Sequence, residues 1–140
     1  KPPLWRFFCI FKNQSLKPYN MTFQDKAKEF YNMIQEGKLL DAINKYYHEK
    51  VVVIDADGNT RENIDSNKKY DVSFLNEIQE VYGGEILSVT SDEKRQITAV
   101  EYWIELKFKN GTKRKYEEIA VQQWEKDKII RERFYKSKCN

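Results

Sequence analysis

Metal-binding side chains are scarce in this 140-residue chain, which holds one histidine and two cysteines, Cys9 and Cys139, near opposite ends. That excludes a zinc site built from Cys and His alone and argues against a disulfide framework. Glycine and proline number only 5 and 3, which separates the chain from collagenous, linker-like and low-complexity sequences. No apolar run approaches the ~20 residues that cross a bilayer. The expectation is a soluble, cytoplasmic protein without a membrane partner. A glycine-rich phosphate loop, a Gly-x-Ser-x-Gly elbow and a Cys–His pair within a motif are all missing, so no cofactor and no metal is implied. The formal net charge is +3, yet residues 1–20 hold Lys1, Arg6, Lys12 and Lys17 and no acid, which leaves residues 21–140 at −1. The body therefore lacks the basic excess of a nucleic-acid binder.

What is present is 40% hydrophobic and 34% charged residues, enough for one globular domain and too short a chain for two. Residues 1–20 stand apart, with an apolar cluster of Leu4, Trp5, Phe7, Phe8, Ile10 and Phe11. The outline of a secretory signal is there, but Pro2, Pro3, Arg6 and the lack of a small-residue cleavage site argue against one. Met21 sits just before a helix start. An upstream extension, a packing or swapped arm and a targeting segment remain open for residues 1–20, and residues 21–140 form the domain.

Thr22 caps a helix on which Phe23, Ala27, Phe30, Tyr31 and Ile34 recur at helical spacing until Gly37. A second helix carries Leu39, Leu40, Ala42, Ile43, Tyr46 and Tyr47. Val51-Val52-Val53-Ile54 is β-branched and short, hence a buried strand. Residues 55–71 are polar and turn-rich and read as a long loop. Phe74, Leu75, Ile78, Val81 and Tyr82 mark a third helix that Gly83-Gly84 stops. Strands follow at 86–90, 97–109, 114–124 and 129–135, the middle pair joined by Asn110-Gly111 as a type I′ hairpin. Helices grouped ahead of an antiparallel sheet make an α+β fold, in the order α-α-β-α-β-β-β-β.

That order resembles the nuclear transport factor 2-like superfamily, and within it the SnoaL-like domains, over about residues 22–136. The matching residues are Tyr47-His48-Glu49-Lys50-Val51 leading to Ile54-Asp55, Gly83-Gly84-Glu85, Glu117-Glu118-Ile119-Ala120-Val121, and the run from Lys128 to Tyr135. The resemblance implies a cone-shaped, bent, mostly antiparallel sheet wrapped around three helices, with a central pocket. It also implies a closing hairpin in which Asp127 stands where glycine is usual and takes the left-handed conformation. Ketosteroid isomerase is one enzyme of this fold. Its general base would correspond to Asp55, its tyrosine donor to Tyr31, and its third position to Ala120, which donates nothing. Tyr31 as a core residue and Asp55 as a turn former are the favoured readings.

Strand alternation puts Glu101, Trp103, Glu105 and Lys107 on one face and Val100, Tyr102, Ile104, Leu106 and Phe108 on the other. A two-residue Asn-Gly turn pairs residue 109 with 112, so Trp103 faces Glu118 and Glu105 faces Tyr116. For the last hairpin, a three-residue turn sets Glu132 opposite Ala120 and Phe134 opposite Glu118. A two-residue turn brings Arg131 and Arg133 to that face instead. Apolarity alone sends the Val100–Phe108 face inward. The resemblance implies the reverse and is preferred: a pocket of Trp103, Glu105, Tyr116, Glu118, Gln122, Glu132 and Phe134. Val100, Tyr102, Ile104, Leu106, Phe108, Ile119 and Val121 then lie outside, and a patch of that size calls for a homodimer. The leading function is a small-molecule-binding pocket domain. The alternatives are an isomerase or hydratase-like enzyme with Asp55 as base, and a structural or protein-interaction module with a filled cone.

Overall fold

The computed structural model describes residues 20–137; the expectations for residues 1–19 and for Cys139 lie outside the described residues. The elements are α1 (Phe23–Gln35), α2 (Leu39–Tyr46), β1 (Tyr47–Ile54), β2 (Thr60–Glu62), α3 (Ile64–Glu77), β3 (Ile78–Asp92), β4 (Ile97–Phe108), β5 (Lys113–Glu125) and β6 (Lys128–Lys136). One six-stranded sheet runs in the order β2-β1-β6-β5-β4-β3. Its only parallel neighbours among the described residues are β1 and β6. This is the expected α+β architecture with one short strand added. No helix among the described residues is long and apolar enough to cross a membrane.

The start of α1 is fixed by a capping box, in which Thr22 Oγ1 accepts the Asp25 N–H and the Asp25 carboxylate accepts the Thr22 N–H. Glu93, in the β3–β4 turn, accepts the N–H groups of Phe23 at 2.7 Å and Gln24 at 3.2 Å, so a carboxylate meets the positive end of the helix. Ala27, Phe30 and Tyr31 form the buried stripe. Phe30 meets Tyr31 and Tyr46 edge-on and stacks on Tyr47, while Trp124 closes against Phe23 and Tyr46. The core thus lies between α1, α2 and one face of the sheet.

Residues 55–71 are not one loop. They contain β2 and the first half of α3, which Asn63 caps by accepting the Ser66 N–H at 2.8 Å. Nor does α3 reach Tyr82. It ends at Glu77, and Ile78 and Val81 pair with Phe108 and Leu106 in the sheet. Cross-strand pairing overrides the helical spacing of these apolar residues. Gly83 and Gly84 lie within β3 and stop nothing. A Cβ on Gly83 would come 3.1 Å from the Trp103 indole, so the glycine leaves room for that ring.

The Asn110-Gly111 hairpin corrects the face assignment. Phe108 N–H donates to the Thr112 carbonyl at 2.8 Å and Gly111 N–H to the Phe108 carbonyl at 2.9 Å, with positive φ at Gly111 and not at Asn110. Residues 109–111 make the loop, so Trp103 pairs with Glu117, Tyr102 with Glu118, and Glu105 with Lys115. A slip of one residue moves every side chain to the other face. Val100, Leu106 and Phe108 are buried under the helices, and Trp103 and Glu105 lie on the outer face. Apolarity alone was the right guide for β4. Five of the seven residues proposed for the dimer patch therefore face inward, and only Ile119 and Val121 remain outside.

The last hairpin follows neither expected register. Lys126 and Asp127 form a two-residue turn, and the positive φ falls on Lys126, not on Asp127. A bulge at Ile130 then shifts the strand by one. Glu132 consequently pairs with Gln122 and Phe134 with Ala120, both facing the helices.

Candidate functional site

The floor of the cone is a closed polar network inside an apolar core. Glu132 is 1% exposed, and its carboxylate accepts from Gln122 Nε2 at 2.6 Å, from the Tyr31 hydroxyl at 3.2 Å and from the Tyr47 hydroxyl. Gln122 Nε2 also lies 3.2 Å from Tyr31 Oη. Behind it, Gln122 Oε1 takes the Thr98 hydroxyl at 2.7 Å, and Thr98 takes the Trp124 indole N–H at 2.8 Å. No buried side-chain polar atom among the described residues is left without a partner. Burial raises the Glu132 pKa, opposed by its three donors. Burial and the neighbouring Glu132 charge push Tyr31 and Tyr47 well above the ordinary phenol value.

The mouth is polar and more open. Asp71 lies on the inward stripe of α3 that also carries buried Asn67 and Phe74, the latter edge-on to Phe108. Burial raises the Asp71 carboxyl to about 6, with Arg61 pulling down and Glu132 pushing up. Among the described residues Asp71 accepts no hydrogen bond. Arg61, on β2, lies over the Tyr70 ring at 3.7 Å and donates to Asn67 Oδ1 and Asp55 Oδ2, each at 3.3 Å. On the far side, the Tyr102 hydroxyl donates to Glu118 at 2.7 Å and Lys136 bonds Asp57 at 2.5 Å. Burial raises Glu118, against the Tyr102 hydrogen bond and the Lys136 charge.

Two open grooves lie on the surface, and the second adjoins the mouth through Tyr102, Glu118 and Lys136. One, of about 400 Å³, runs between α1 and β3 past Lys28, Asn32 and Glu85. The other, of about 460 Å³, crosses the sheet past Leu87, Glu101, Glu118, Ile119, Tyr135 and Lys136. No group of three His, Cys, Asp or Glu side chains able to hold a metal ion occurs among the described residues.

The three helices and bent sheet superpose on a SnoaL-like protein from Mesorhizobium loti, named as a candidate polyketide cyclase, with a TM-score of 0.73 at 20% identity over 82% of this chain and 99% of that one. This is the nuclear transport factor 2-like fold. A protein of the same fold and unknown function from Burkholderia pseudomallei matches with a TM-score of 0.70 at 13% identity, over 84% of this chain and 92% of that one. A hypothetical protein with a ketosteroid isomerase-like fold from Catenulispora acidiphila, solved in complex with trimethylamine, gives 0.65 at 13% identity, over 79% and 84% of the two chains. No family model and no curated protein matches the sequence.

Within this fold the sequence-derived candidates divide. Tyr31, Gln122 and Glu132 meet in the floor; Tyr116, Glu118 and Phe134 share the inward face; Trp103 and Glu105 do not. Asp55 holds the β1–β2 turn, its Oδ1 accepting the N–H groups of Asp57 and Asn59, each at 3.0 Å. Burial raises the Asp55 pKa, but those N–H groups and Arg61 outweigh it and hold the carboxyl below its usual value. A carboxylate so stabilised is a weak base, and Tyr31 has committed its proton to Glu132. Tyr47, Arg61, Asp71 and Tyr102 escaped the sequence reading. The signal for Asp71 is its spacing of four from Asn67 and three from Phe74, which the polar, turn-rich composition of residues 55–71 hides.

Proposed function

We propose that the chain is a small-molecule-binding domain that seats its ligand at the mouth of the cone, beside Asp71, Arg61, Tyr70 and Glu118. The observation that carries this reading is Asp71. It is partly buried, and among the described residues it accepts no hydrogen bond, so its burial carries a cost that the Arg61 charge only partly offsets. Groups kept at such a cost concentrate at binding and catalytic sites. Acids outnumber bases along the mouth, with Asp55, Asp57, Asp71 and Glu118 set against Arg61 and Lys136. The ligand class this favours is a small cationic or donor-rich molecule, with Tyr70 supplying an aromatic wall. The trimethylamine held by the Catenulispora protein belongs to that chemical class.

Thermal melting of the full chain with trimethylamine and with uncharged isobutane-sized alcohols tests the reading. The amine should stabilise the native chain and lose its effect in Asp71→Asn. Equal effects of amine and alcohol, or an undiminished amine effect in the variant, would sink it. The outer face of β3–β6 remains the proposed surface for a homodimer. Its apolar set is smaller than the sequence suggests, with Leu87, Ile119 and Tyr135 among the large side chains about half exposed there.

A further inference from the structure

Three donors from three different elements, Tyr31 on α1, Tyr47 on β1 and Gln122 on β5, converge on one point, and the carboxylate of Glu132 on β6 fills it. The direction of the bonds follows from Trp124. An indole N–H only donates, so Thr98 Oγ1, 2.8 Å away, must accept it. The Thr98 proton then goes to the Gln122 oxygen at 2.7 Å, which turns the amide nitrogen toward Glu132 and Tyr31. Tyr31 Oη accepts from that nitrogen at 3.2 Å and sends its own proton to Glu132 Oε2, also at 3.2 Å. Tyr47 donates to the other carboxylate oxygen. Every neighbour presents a hydrogen to Glu132, and the form that this arrangement satisfies is the anion.

Fixed donors around an oxygen anion, sealed from water, are the arrangement by which proteins bind ligand carboxylates and enzymes stabilise developing oxyanions. Here the charge is the chain's own. We propose that Tyr31, Tyr47 and Gln122 form a carboxylate-binding seat which Glu132 occupies in cis, closing it to outside ligands and opening it to a small free carboxylate once the Glu132 side chain is removed. The seat is distinct from the ligand position at the mouth and stands whether or not that reading holds. It also accounts for Tyr31 being unable to polarise a substrate carbonyl, because its hydroxyl proton is already bonded.

The test is chemical rescue in the full chain. Glu132→Ala should melt below wild type, and ~100 mM formate or acetate should raise its midpoint by on the order of 5–10 °C. Chloride or sulfate at equal ionic strength should not, and wild type should respond to none of them. A folded Glu132→Ala that ignores formate and acetate, or gains as much from chloride, overturns the proposal. Should Glu132→Ala fail to fold in any buffer, the infrared difference spectrum of wild type against Glu132→Gln at neutral pH decides. Loss of a carboxylate stretch is expected. Loss of a protonated carboxyl band would refute the anionic plug.

Discussion

Replacing Asp71 by Asn removes a charge and keeps the shape, and the account predicts that it stabilises the protein. Burial lifts this carboxyl from 3.8 to about 6, with Glu132 adding to the rise and Arg61 opposing it. Each unit is worth ~1.4 kcal/mol, so the full shift is a penalty of about 3 kcal/mol on the ionised form. Asp71 retains contact with solvent at the mouth, which reduces that to about 1–2 kcal/mol. The sign follows from linkage. Because the folded pKa lies above the unfolded one, the folded state holds its proton more tightly, and the penalty grows as pH rises from ~4 to ~6 and is constant above. Urea unfolding of wild type and Asp71→Asn at about pH 4.5 and pH 7.5 measures it. The variant should gain at both pH values and more at the higher. A loss of stability at neutral pH, or a gain that does not depend on pH, would show that Asp71 is paired or fully hydrated and would refute the reasoning.

Other substitutions probe the floor and the sheet. Thr98→Val strips the partner from the Trp124 indole and from the Gln122 oxygen, and should cost about 2–4 kcal/mol in denaturant unfolding; an unchanged midpoint would show the relay is not energetically coupled. Gly83→Ala sets a methyl 3.1 Å from the Trp103 ring, so a shifted tryptophan emission with a loss of about 1 kcal/mol is expected, and an unaltered spectrum would contradict the contact. Ile119→Glu should convert a sedimenting dimer to monomer at micromolar concentration; equal sedimentation of both proteins would remove the outer-face contact.

How far the sequence could be read depended on what each local signal left undetermined. The α1 stripe and its Thr22 cap were legible because spacing and capping chemistry have one solution there, whereas alternation put Glu118, Ala120, Gln122 and Trp124 on one face and only the family resemblance pointed that face inward. The β4 face was not legible. Asn-Gly serves a two-residue loop and a three-residue loop ending in a left-handed glycine equally well, and that one residue decides which face carries Trp103. The Ile130 bulge is silent in the sequence, yet it is what turns Glu132 inward. Tyr47 was visible as a helix end and as the start of the Tyr47–Val51 run, and neither reading showed that its hydroxyl reaches the buried carboxylate on β6. Asp71 was lost for a different reason. A helix of 14 residues whose large apolar side chains Val72 and Leu75 are 40% and 43% exposed gives a weak amphipathic pattern, and a polar inward stripe weakens it further.

Amide chemical-shift mapping with trimethylamine on the full chain tests the central claim most directly, because it reports where a small ligand binds without presupposing an activity. The account predicts saturable shifts concentrated at Arg61, Tyr70, Asp71 and Glu118, with Thr98 and Trp124 at the floor unmoved and the effect abolished in Asp71→Asn. Shifts confined to the outer face of the sheet around Leu87 and Tyr135, or none at all, would contradict it.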